Sequence, residues 1–217
     1  MFKEKENEEL TLAPVNFFQI SCDCLSIAPP FPKLSKQKGE KYLLPDTTYL
    51  CAEESFANVH MGWNKEGIEL YVVIDQKLQS SLYPEVTKGD SVELFFDTRN
   101  VKTSGFNTRF CHHFVFLAEA ADGVQALELT RFRTEDAHEL CDPKELKVKT
   151  IVSKDGYSMQ IFIPSTCLVG YDPDQFTQLG FNYRINRFKG DPQHFSAITD
   201  EYKIEQQPSL WGSVKLI

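Results

Sequence analysis

The stretch GDSVELFFDTRN, residues 89–100, carries two carboxylates among its aromatic residues. Read as a strand, it puts Val92, Leu94 and Phe96 on one face and Glu93, Phe95 and Asp97 on the other. Paired carboxylates can act as general acid and base, so their spacing is the first test. Four residues of strand separate them by about 13 Å at ~3.3 Å per residue. Pairs that hydrolyse glycosidic bonds sit roughly 5–9.5 Å apart. Glu93 and Asp97 alone are therefore no acid/base pair, although either could meet a carboxylate from elsewhere. Ligand contact and a solvated face both stay open for them.

The run Cys111-His112-His113 raises metal chemistry. On a strand His112 and His113 point to opposite faces and cannot hold one ion together. Cys111 and His113 share a face, but two donors do not complete a site. The reading is one buried ring, one surface ring and no metal. His60, His138 and His194 stand alone in the sequence, and Cys22-Asp23-Cys24 places two thiols on one face without further ligands. No Gly-rich phosphate loop, G-x-S-x-G elbow or C-x-x-C pair occurs. No catalytic constellation emerges.

NYRINRF, residues 182–188, carries more information. Asn182, Arg184 and Asn186 share one face, opposite Tyr183 and Ile185, with Phe181 just before them. Amides and a guanidinium in a row supply directional hydrogen bonds suited to hydroxyls or carboxylates. The competing reading is a polar outer face held by cross-strand ion pairs such as Arg184 with Glu93.

The elements that must position these residues follow from patterning. The 217 residues are enough for one all-β domain with a full core. A net charge of −8 and a pI near 5.2 exclude a general affinity for duplex nucleic acid or anionic membrane surfaces. No apolar run approaches the roughly 18 residues of a membrane span. MFKEKENEE, residues 1–9, reads as a solvated tail without the apolar segment of a secretory signal. The six scattered cysteines then read as reduced thiols, and the expected compartment is the cytoplasm.

Residues 10–217 read as a single domain. PVNFFQISCDCLSI predicts a strand or strand pair, and the Pro- and Lys-rich stretch after it predicts a loop wrapped over the body. From Thr47 onward the apolar period is two. FANVHMGW, with Ala57, Val59, Met61 and Trp63 on one face, and IELYVVID flank the turn NKEG as a hairpin. RFCHHFVFLAEA and GVQALELTRFR flank ADG. KVKTIVS and YSMQIFIP flank DG. QLGFNYRINRF and LWGSVKLI complete the strands. Only TEDAHEL and PSTCL predict helix, and both are short. The expected fold is all-β: an antiparallel two-sheet β-sandwich, immunoglobulin-like or jelly-roll-like, with few short helices.

The segments VHMGWNKEGIELYVVID, GDSVELFFDTRN, FCHHFVFL, KDGYSMQIFIP, LGFNYRINR and PSLWGSVKLI, in that order, resemble the family 9 carbohydrate-binding modules and their DOMON-like relatives. The resemblance runs from about residue 47 to the C-terminus. It implies a β-sandwich that holds glycan on one sheet face, often with structural calcium. The family's glutamate in its D-S-V-E motif falls on Glu93. Its arginine on the next strand falls near Val115, and the glutamine of its G-F-N-x-Q motif falls on Arg184. The two tryptophans that sandwich the sugar fall near Thr87 and Glu205, so that clamp is missing. Tyr83 and Tyr202 lie near those positions and could stack a ring instead. Trp63 and Trp211 read as packing residues.

On this resemblance the ligand face comprises Glu93, Asn182, Arg184 and Asn186, flanked by Tyr83, Tyr202, Arg109 and His113. The expected function is a non-catalytic carbohydrate-binding module. Arg184, with Arg109 and Arg187 nearby, points toward an acidic sugar. Three alternatives remain: a protein-interaction sandwich that has lost sugar binding, a hydrolase-associated domain of carbohydrate catabolism, and a haem protein of DOMON type with His113 or Met61 as axial ligand. A sugar or a protein partner is expected, and neither nucleic acid nor membrane.

Overall fold

The computed structural model describes residues 14–34, 40–197 and 203–217; the expected tail lies outside them. The alternating segments form the strands. β2 (Ala57–Asn64) and β3 (Gly67–Ile74) pair antiparallel over their whole length, from Ala57 opposite Ile74 to Asn64 opposite Gly67. Gly67 makes the turn at φ 148°, where an added Cβ would stand 2.1 Å from the Ile163 carbonyl oxygen, so a side chain is excluded. β3 also pairs with β8 (Tyr157–Pro164), and β8 with β7 (Lys147–Val152).

β4 (Ser91–Asp97) lies between β5 (Cys111–Ala121) and β9 (Gln178–Asn186), antiparallel to both. β6 (Val124–Glu128) returns against β5 through the turn at Asp122 and Gly123, both in the left-handed region. The two-residue β10 (Gln193–His194) pairs with β9, and so does β11 (Gly212–Leu216).

β1 (Ser21–Ser26) joins the two halves and corrects the all-antiparallel part of the expectation. Its residues Ser21–Cys24 run parallel to β11, and Leu25 and Ser26 run parallel to β2. The result is one mixed sheet in the order β6-β5-β4-β9-β11-β1-β2-β3-β8-β7, nearly closed and sandwich-like. Period-two patterning marks a strand but carries no information about its direction, so this strand's pairing could not be read from residues alone.

The main core lies between the halves. Val59, Met61, Leu70, Val72, Met159 and Ile161 come from one side, and Val92, Leu94, Phe96, Phe114, Phe116 and Phe181 from the other. The Pro-rich segment does wrap the body: the N–H groups of Lys33 and Leu34 both donate to Glu69 Oε1 at 2.7 Å, and Phe31 packs on Phe162. Two local readings are corrected. TEDAHEL is irregular, because its one histidine is drawn into a polar cluster; the one α-helix among the described residues is Thr48–Cys51. PSTCL becomes a short 3-10 turn, Ser165–Cys167. Among the described residues no helix is long and apolar enough to cross a membrane.

Candidate functional site

Strand alternation sends Glu93 and Phe95 of β4, Asn182, Arg184 and Asn186 of β9, and His113 of β5 away from the main core. The face they form is covered. Trp211 packs with Phe95, Cys111, Ala197 and Ile204 over one part of it. Val86, Val115, Leu117 and Leu127 cover another. Glu93 lies between the two apolar clusters with no exposed surface, which removes the solvated-face reading.

Glu93 is in register with Arg184 across β4 and β9. Arg184 donates from Nε to Oε1 at 2.7 Å and from Nη2 to Oε2 at 2.8 Å. Asn186 Nδ2 donates to Oε1 at 2.8 Å, and His113 Nε2 lies 2.8 Å from Oε2. An ionised carboxylate only accepts, so Nε2 of His113 carries the proton. The His113 ring stacks on Phe95 at 4.6 Å. Burial by itself would raise the Glu93 carboxyl. The hydrogen bond from His113 and the charge of Arg184 outweigh it and hold the group below the usual carboxylate range.

This geometry revises what Arg184 can do. Its fork, expected to grip an acidic ligand, is filled by Glu93, and the local charges cancel. The groups that retain some exposure are Arg184, at 8%, and His113, at 6%. Among the described residues Arg184 Nη1 makes no hydrogen bond, which leaves it as a donor toward the outside.

The remaining expected residues separate. Asn186 belongs to the cluster and also donates to Ser91 Oγ at 2.9 Å. Asn182 is fully buried; its Oδ1 accepts from the N–H groups of Tyr183 and Ser196, at 2.9 and 3.0 Å, and so pins the covering segment to β9. Tyr83 packs on the Val86–Leu117 cluster and lines a cavity with Val124–Leu127 and Leu146–Val148, away from Arg184. Tyr202 lies outside the described residues. Arg109 does not reach this face: it pairs with Asp136 in the connection from β6 to β7. Met61 is in the main core. Trp211 is buried as expected, but under the outer cover, whereas Trp63 is half-buried with Nε1 donating to the carbonyls of Cys24 and Ile217.

Sequence reasoning missed two features. Lys102 donates from Nζ to the carbonyls of Trp211 and Gly212, at 2.6 and 2.8 Å, and burial pushes its pKa down to about 8. His112, Glu128 and His138 converge, with their donor atoms within 4.8 Å of one another. Nothing in the spacing of those three residues signals it, because His138 arrives on an irregular segment.

The model of the carbohydrate family 9 binding domain-like family matches residues 37–217. None of the curated proteins matches the chain. A family 9 carbohydrate-binding module of Caldicellulosiruptor kristjanssonii, solved with glucose, is similar at a TM-score of 0.54 and 20% identity, over 74% of this chain and 76% of that one. The same organism's module with cellotriose gives 0.52 and 20%, over 74% of each chain. A Bacteroides uniformis protein, described as a candidate carbohydrate-binding protein, gives 0.61 at 11% identity, over 92% of this chain and all of that one (100%). At such identities these structures establish the shared fold.

Proposed function

The chain belongs to the carbohydrate family 9 binding domain-like family, and we propose that it is a non-catalytic carbohydrate-binding module whose ligand meets the sheet at Arg184 and His113. The observation that carries this reading is the Glu93–Arg184–His113–Asn186 cluster, which lies where the family's glutamate motif falls and is held rigid by four hydrogen bonds. Glu93 orients the donors; Arg184 Nη1 and the exposed edge of His113 are then the groups that meet sugar hydroxyls.

Because Glu93 neutralises Arg184, the face presents hydrogen bonds rather than net charge. A neutral hexose or short glucan therefore fits better than an acidic sugar. Among the described residues Glu93 is closed off by its hydrogen bonds to Arg184, His113 and Asn186, which favours binding over hydrolysis at this carboxylate.

The same closed ion pair favours a second reading, a family member that kept the fold and lost its sugar. Calorimetric titration separates the two. Glucose, cellotriose and glucuronate are tested against the wild type and Arg184→Lys, which keeps the charge beside Glu93 and loses the planar fork. The proposal expects saturable millimolar or tighter binding of the neutral sugars and weaker binding by the variant. No binding of any of the three by the wild type leaves the protein-interaction reading.

A further inference from the structure

A second buried polar cluster lies at the start of β5, independent of the sugar reading. His112 of β5, Glu128 at the end of β6 and His138 from connection 129–146 meet there, with side chains 0%, 1% and 6% exposed. His112 Nδ1 and His138 Nε2 are each 2.9 Å from Glu128 Oε1, and Thr130 Oγ1 donates to the same oxygen at 2.6 Å. Three donors crowd one carboxylate oxygen, while Oε2 accepts from the Cys141 N–H at 2.9 Å.

The far sides of the rings decide the chemistry. His138 Nδ1 is 2.7 Å from the Arg109 carbonyl, which can only accept, so that nitrogen carries a proton. His112 Nε2 is buried and makes no hydrogen bond of good geometry, although the Val169 carbonyl acts on that ring as an acceptor. His138 therefore carries a proton on its outer nitrogen, and both rings aim their inner nitrogens at one carboxylate oxygen. A dication could replace these contacts, because two neutral imidazoles and one carboxylate offer it three donor atoms within 4.8 Å of one another.

We propose that His112 Nδ1, His138 Nε2 and Glu128 Oε1 form a Zn2+ site that ties connection 129–146 to β5 and β6. Two imidazoles and a carboxylate suit zinc, whereas calcium takes six or more oxygens. Tetrahedral bonds of about 2.0–2.1 Å put donors about 3.3 Å apart, so each 2.9 Å pair opens by roughly 0.4 Å. The supporting shell is already in place: Arg109 O orients His138, the Cys141 N–H orients Glu128, and Phe114 and Phe132 pack on the two rings. The connection in turn holds the cover of the polar face. Asn107 Nδ2 bridges the carbonyls of Arg131 and Glu205, and Arg133 reaches Gln206.

The test uses the full chain stripped of metal by chelator dialysis and titrated with ZnCl2 in a calorimeter. Melting temperature and elemental analysis are followed in parallel. One Zn2+ per chain and a raised melting temperature are expected, with CaCl2 failing to displace the bound zinc. His138 lies on a connection, so His138→Gln should keep the wild-type circular dichroism while weakening zinc binding more than about a hundredfold. His112→Gln is the second variant, expected to weaken it similarly. Absence of zinc binding by the wild type overturns the site. So does binding that survives unchanged in both variants, because other side chains would then be holding the ion.

Discussion

Arg184 lays Nε and Nη2 on the two oxygens of Glu93, at 2.7 and 2.8 Å, across neighbouring strands, with Glu93 fully buried and Arg184 8% exposed. The pair is a buried one, so removing one partner strands the other in a site it cannot leave. Arg184→Ala should cost about 3–5 kcal/mol, against the 0.2–1 kcal/mol of an exposed pair. Replacing both partners together, as in Glu93→Leu with Arg184→Met, should recover more than half of that loss. Urea unfolding measures both; a single variant within 1 kcal/mol of wild type contradicts the burial argument.

Acid should act through the same carboxylate. The groups facing Glu93 are Arg184 from β9 and His113 from β5, and both favour its ionised form, so its folded pKa lies below the ordinary 4.5. A depressed folded pKa contributes stability that is fully present above the unfolded value and is lost as pH falls through the carboxylate range toward the folded one. The urea midpoint is expected to fall below about pH 4.5, and Glu93→Gln to flatten that fall. An acid slope as steep in the variant as in the wild type assigns the effect to other carboxylates.

The two tryptophans should behave differently. Trp211 is 1% exposed, with Nε1 donating to the Ile204 carbonyl at 2.8 Å, so Trp211→Ala should cost about 3–5 kcal/mol. Trp63 is half-buried, and Trp63→Phe keeps much of the packing while losing a hydrogen bond worth about 1 kcal/mol. Iodide quenching of each single-tryptophan protein checks the assignment: Trp211 should be protected and Trp63 partly accessible.

All six cysteines are free, and burial pushes the thiols of Cys51 and Cys111 up to about 12. Neither should react with a thiol reagent at neutral pH until the chain unfolds, because the thiolate is the reactive form. Unfolding without reductant should release all six. Rapid native labelling of Cys51 or Cys111, read by peptide mass spectrometry, counts against their burial.

Alternation of side chains determined the strands themselves. It separated Val92, Leu94 and Phe96 from Glu93 and Phe95, and Tyr183 and Ile185 from Asn182, Arg184 and Asn186, because a pleated strand admits no other division. Three decisions belonged to tertiary structure. β1 runs parallel to both neighbours, which depends on how distant segments meet and not on its own residues. The outer face is buried, because Ala197, Ile204 and Trp211 pack on one part of it and Val86 on another, and of the two roles open to Arg184 the structure takes the cross-strand ion pair with Glu93. His138 looked alone in the sequence, yet an irregular connection brings it to His112 of β5 and Glu128 of β6. Periodicity reports which side of a strand a residue occupies; it is silent on what the rest of the chain lays against that side.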